Sequence, residues 1–192
     1  MSRYLGALTA IFLLSTCGSS YSPPRDLENA CAIVAERPEY LRAMSRTERN
    51  WGVPVAAQMA LIHQESKFVG NAKTPHKRFL GIPTGRVSSA KGYSQALDGT
   101  WDEYRADTGN RLARRTDIDA ATDFIGWYMA KSQSSLGIPM TDIRSQYLAY
   151  HEGRSGYRRG THNNKAWLLR VASEVESRAI VYDMQLRQCR VS

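Results

Sequence analysis

The chain has 192 residues, a formal charge of +8 from 26 Lys and Arg against 18 Asp and Glu, and a sequence pI near 9.6. That length suits one domain burying about 70 % of its surface on folding, and the 42 % hydrophobic and 23 % charged residues are ordinary for a globular protein. There is no internal repeat or low-complexity block, and no second long apolar run follows the N-terminus, so no transmembrane helix is expected.

The first residues differ from the rest. Met1–Tyr4 carry one charge, Arg3, and Leu5–Leu14 are nearly all apolar or small. A short basic start and an apolar run of this length have the form of a secretory signal, too short to span a bilayer comfortably. The run ends in LSTCGSS, residues 14–20, which resembles the lipobox of bacterial lipoproteins. The resemblance implies that residues 1–16 are removed as a signal peptide and that Cys17 is lipidated. The alternative is an ordinary signal peptide cut nearby, leaving a free thiol. Gly18 follows the cysteine where Asp would retain the protein at the inner membrane, so the expected location is the periplasm, anchored to the outer membrane. Cys31 and Cys189 then remain, and export favours a disulfide between them over two buried thiols. Such a bridge staples the two ends of the fold and contributes about 4–5 kcal/mol in the chain-entropy picture. A basic exported chain suits anionic partners such as cell wall or lipid headgroups. Nucleic acid is not expected as a partner, because the basic residues are scattered among acids and no zinc-finger, RNA-binding or basic-zipper pattern is present.

Residues 17–25 read as a tether stiffened by Pro23 and Pro24, and residues 26–192 as the folded domain. Asp26 is placed to cap a helix to about Glu36, and Pro38 stops it and opens a second to about Trp51, with Gly52 just past its end. Pro54 suits the first turn of a third helix through Ser66. Residues 69–92 are rich in Gly, Pro, Lys and Arg and read as a loop excursion with at most a small β-hairpin. Helices are expected again over about 94–107, possible breakage falling at Gly99, over 117–134 with Thr116 as cap, over 140–150 after Pro139, and over 164–188. The stretch DFIGWYMA is apolar nearly all round, as for a buried central helix. The fold class is therefore all-α with one polar excursion.

Within the third helix, Ile62 and Glu65 share a face. A carboxylate beside apolar groups loses hydration and its pKa rises, which makes it a proton donor near neutral pH. Glycosidic cleavage needs such a donor, because the alkoxide leaves poorly until protonated. A solvated glutamate at a helix end is the plainer reading of Glu65 taken alone. Three stretches change that balance. IHQESKF, residues 62–68, resembles the E-S-x-F signature of the lytic transglycosylase SLT domain, whose fold is related to goose-type lysozyme. GYSQAL, residues 92–97, is similar to its G-L-M-Q motif with Gly92 and Gln95 in register. LAYHEG, residues 148–153, is similar to A-Y-N-A-G with Ala149, Tyr150 and Gly153 in register.

The resemblance implies a lysozyme-like helical domain that cleaves the β-1,4 bond between N-acetylmuramic acid and N-acetylglucosamine in peptidoglycan and leaves a 1,6-anhydro end. Glu65 would serve as general acid and then as base on the C6 hydroxyl. Ser66 and Gln95 would hydrogen-bond near Glu65 or the N-acetyl group, and Tyr150 would line the cleft. Tyr93 stands in place of Leu and could offer a sugar a stacking face. His151 and Glu152 replace Asn and Ala and could tune Glu65 or bind substrate. Tyr157, Arg158 and Arg159 could meet stem-peptide carboxylates or form a solvated basic turn. Asp98, Asp102 and Glu152 are the possible second carboxylates of a hydrolase. A muramidase-type hydrolase on the same fold and a non-catalytic peptidoglycan-binding lipoprotein are the alternatives. No metal or other cofactor is expected. The HQE at 63–65 lacks the P-C-x-x-C pair of a deaminase, and neither H-E-x-x-H nor G-x-S-x-G occurs.

Overall fold

The computed structural model describes residues 21–189; Cys17, the expected signal peptide and the first part of the tether lie outside them. The described chain is helical, with one small antiparallel hairpin. Helix α1, Ala30–Glu36, starts three residues later than a cap at Asp26 suggests, because the Asn29 side chain accepts from the Ala32 amide and supplies the cap. Helix α2, Pro38–Trp51, opens on its proline and closes on Gly52 in the left-handed region at φ 77°. Helix α3, Val55–Ser66, follows Pro54 and buries ten of its twelve residues, leaving only Gln64 and Glu65 half-buried.

The excursion after α3 carries strands β1, His76–Phe79, and β2, Ile82–Arg86, paired antiparallel with an irregularity between Lys77 and Arg78. The helix expected from residue 94 begins instead at Asp98, as α4, Asp98–Thr108, and Gly99 sits inside it without breaking it. The residues before it stay irregular because Gln95 takes a left-handed φ of 48°. Helix α5, Ile118–Leu136, is capped by Asp117 rather than Thr116. Helix α6, Ile143–Arg158, runs beyond Tyr150 and is kinked at Gly153, whose φ of 73° and ψ of 152° are not helical. Helix α7, Ala166–Cys189, ends the described chain.

The core forms where α5 packs on α2 and α6, and α7 packs on α3 and α6. Its aromatic centre joins α4 to α5, with Trp101 5.2 Å and Tyr104 5.5 Å from Phe124. Gly126 lets α5 close on α2, since a Cβ there would stand 2.4 Å from the Trp51 ring. Cys31 of α1 and Cys189 of α7 are joined in a disulfide across 158 residues, so the two ends of the fold are held as export chemistry suggests. Among the described residues, no helix is long and apolar enough to cross a membrane.

Candidate functional site

Glu65 is carried to its place by the most buried helix of the fold. Met59 and Ile62 on the same face are fully inaccessible. The helix then ends abruptly. Lys67 and Phe68 are both left-handed, at φ 51° and 60°, a conformation that costs roughly 1–2 kcal/mol per ordinary residue. Two contacts hold the turn. The Lys67 amide donates to the His63 carbonyl, and the Phe68 ring, fully buried, stacks on Tyr40 at 5.8 Å. The aromatic of ESKF is thus the anchor that fixes where Glu65 stops. His63, two residues earlier, turns away from that face. It lies 3.7 Å from Glu28 and edge-on to Tyr182, and burial is the main cause lowering its pKa to about 4.

The second stretch closes round a glycine. At Gly92, φ is 80° and a Cβ would stand 1.9 Å from the Arg115 carbonyl oxygen, so no other residue fits. Arg115 clamps the same turn through the carbonyls of Ser89 and Ala96 and the carboxylate of Asp98. Gln95 donates through Nε2 to the carbonyls of Ala72, at 3.2 Å, and Gly92, at 2.9 Å. Both amide protons therefore organise the loop, and what Gln95 can offer a ligand is its carbonyl oxygen.

The third element is the face of α6. Tyr147 and Tyr150 are one turn apart and point to the same side. Tyr147 is hydrogen-bonded to Glu65. Tyr150 donates to the Ser94 carbonyl at 2.6 Å, which ties α6 to the GYSQ turn. Burial raises both phenols well above their usual range, and the nearby Glu65 charge raises them further. Tyr147 went unnoticed in the sequence, although its spacing from Tyr150 in YLAY is the helical signal that marks it.

Glu65 keeps some surface while protein surrounds it on nearly all sides. Burial pushes its pKa up to about 7, against the Tyr147 hydrogen bond and the Lys67 charge, which both pull it down. Among the described residues, no carboxylate contributes to that shift. The three acids singled out as possible partners are engaged elsewhere. Asp98 pairs with Arg115 at 2.6 Å and Asp102 with Arg105 at 3.4 Å. Glu152, with its side chain only 4 % exposed, takes Lys165 at 2.8 Å on both oxygens, the Thr161 hydroxyl, and His151 Nδ1 at 3.1 Å. Burial would raise its pKa, but Lys165, Thr161 and His151 together bring it to about 2. Glu152 is a clamp on the turn after α6, a structural task in place of the substrate contact expected of it.

The other expected contacts are placed as follows. Tyr93 is 4 % exposed, shares a hydroxyl contact of 3.1 Å with Tyr40, and packs where Gly70 leaves it room. It belongs to the core and has no free face for a sugar. The Ser66 hydroxyl donates back to the Ile62 carbonyl at 3.2 Å. His151 is exposed and meets Trp167 edge-on at 5.3 Å. Tyr157 stacks on His162 at 4.7 Å, and Arg158 donates to the Ser135 carbonyl. Among the described residues, no three of His, Cys, Asp and Glu come together as a metal set.

A family model described as transglycosylase SLT domain matches residues 5–189. A search of curated proteins returns no match.

The raised carboxyl has a consequence for stability. A folded-state pKa above the unfolded value destabilises the fold wherever the group is charged, fully above about pH 7 and not at all below the unfolded value of 4.5. Glu65→Gln is therefore expected to be more stable than wild type at pH 8, by at most about 3 kcal/mol. The gap should close as the pH falls from 7 to 4.5. Denaturant unfolding at several pH values measures it, and a gap independent of pH contradicts the assignment.

Proposed function

Because the chain belongs to the transglycosylase SLT domain family, a family of peptidoglycan-degrading enzymes, we propose that it is a lytic transglycosylase with Glu65 as its single acid–base group. The observation that carries the reading is the desolvated Glu65 carboxyl, with a pKa of about 7 and a hydrogen bond to Tyr147. At neutral pH a large share of Glu65 is protonated, and it donates to the glycosidic oxygen between N-acetylmuramic acid and N-acetylglucosamine. The C1–O4 bond breaks with that proton transfer. The carboxylate left behind removes the proton of the muramoyl C6 hydroxyl, whose oxygen bonds to C1 of the same sugar. The product carries a 1,6-anhydro bridge, and no water is consumed.

The opposing influences on Glu65 suit this double role. Burial favours the acid form needed first, whereas Tyr147 and Lys67 favour the base form needed second. An internal hydroxyl has a high effective concentration at C1, so neither a carboxylate nucleophile nor a second base to activate water is required. The engagement of Asp98, Asp102 and Glu152 in ion pairs supports the same reading over an inverting or retaining hydrolase, each of which uses a pair of carboxyls. Tyr150, held by Ser94, and the carbonyl of Gln95 would face the glycan beside it.

Digestion of purified peptidoglycan, with analysis of the released fragments, tests the reaction. Anhydro ends are expected, and Glu65→Gln should bind wall material while losing at least about 10²-fold in release. Reducing ends would mean hydrolysis, and full turnover by the variant would remove Glu65 from the mechanism. We further infer that Cys17 carries lipid and holds the domain at the outer membrane on its periplasmic side, on the strength of the apolar run and LSTCGSS. Labelled palmitate should enter the wild type and not Cys17→Ala; equal labelling would contradict the anchor.

A further inference from the structure

The stretch that joins the two halves of the site has a composition of its own. Residues 66–97 contain Lys67, Lys73, Lys77, Arg78, Arg86 and Lys91 and not one Asp or Glu. The hairpin lies in the middle of that stretch, and the described side chains of 75–78 and 80–87 are all exposed. Its turn is apolar in the open: Leu80 is 87 % exposed and Ile82 66 %. Among the described residues, Lys73, Lys77, Arg78, Arg86 and Lys91 take part in no ion pair. An apolar tip with uncompensated cations along the strands and at the base behind it is the pattern of a surface that enters a bilayer interface, with aliphatic groups at the acyl boundary and cations among the headgroups.

A second observation places the N-terminal chain at the base of this hairpin. The Gly70 amide donates to the Tyr21 carbonyl at 3.1 Å, and a Cβ at Gly70 would stand 2.9 Å from the Tyr21 ring. The N-terminal chain therefore meets the described fold at the foot of the excursion. Cys17 is four residues before Tyr21, a leash of at most about 14 Å.

We propose that the 73–91 hairpin is a membrane-docking element: Leu80 and Ile82 enter the interface of a bilayer bearing anionic phospholipid, and Lys73, Lys77, Arg78, Arg86 and Lys91 take its headgroups. The cations would equally meet carboxylates of a wall peptide, but such a partner gives Leu80 and Ile82 nothing to bury against, and the position of Tyr21, which rests on the lipid proposed for Cys17, favours the membrane. Cations near an anionic leaflet add attraction that falls off within a Debye length. Since the hairpin separates ESKF from GYSQ in the chain, docking sets how Glu65 is turned relative to the membrane.

Hydrogen exchange on the full chain tests this without any cleavage readout. The protein is placed in phosphatidylcholine vesicles and in vesicles with phosphatidylglycerol added. Amides of residues 76–86 are expected to exchange several-fold more slowly when the anionic lipid is present. The slowing should vanish in Lys77→Glu/Arg78→Glu and in Leu80→Asp/Ile82→Asp, all exposed positions, while amides of α3 and α5 stay as in wild type. Equal exchange in both vesicles overturns the proposal, and so does slowing by soluble peptidoglycan fragments in place of anionic lipid.

Discussion

The structure depends on one unfavourable placement, a carboxyl at the open end of a helix that is otherwise buried on every side. Nothing in α3 solvates Glu65 fully, and among the described residues its polar relief comes from Tyr147 and Lys67. Water would hold the group ionised, and a dry core with no donor would hold it neutral through the whole working range. The balance leaves it near pH 7, where one group can act as acid and then as base. Removing either side of that balance leaves only half of the proposed reaction, which needs both forms.

Much of the surrounding structure keeps that placement fixed. The left-handed pair Lys67–Phe68 is held by the burial of Phe68 against Tyr40. The Gly92 turn is forced against Arg115, and Gln95 and Tyr150 tie it to Ala72 and α6 respectively. Glu152 draws in Lys165 and Thr161 to fix the turn after α6 beyond its kink at Gly153. Of the four left-handed non-glycine residues among those described, Leu80 lies at the open hairpin turn, and 67, 68 and 95 lie in two segments that the bond from Gln95 to the Ala72 carbonyl ties together.

The sequence made the helices legible wherever Pro and Gly punctuate an apolar period, as at Pro38, Gly52 and Pro54. It also made the desolvation of Glu65 legible from the face it shares with Ile62, although that face alone did not single it out without the three motif stretches, and the pair Cys31–Cys189 from export chemistry. The start of α4 was not legible, because Gln95 takes a backbone conformation that ordinary propensity argues against. The tasks of Tyr93 and Glu152 were hidden for another reason. Both sit in motif positions, where the plausible assumption is contact with substrate, yet tertiary partners far along the chain, Tyr40 for one and Lys165 for the other, claim their polar atoms. Tyr147 could have been found from the three-residue spacing to Tyr150, but a tyrosine in a helix is so often core that spacing alone does not single it out.

The most direct measurement of the central claim is the titration of the Glu65 side-chain carboxyl by carbon-13 NMR on the labelled protein. The account predicts a midpoint about 7, well above the ordinary glutamate value of 4.5, with a further rise in Tyr147→Phe because a donor to the charged form is lost. A midpoint at the ordinary value, unmoved by that substitution, would mean that Glu65 stands in water and that the proton donor is elsewhere.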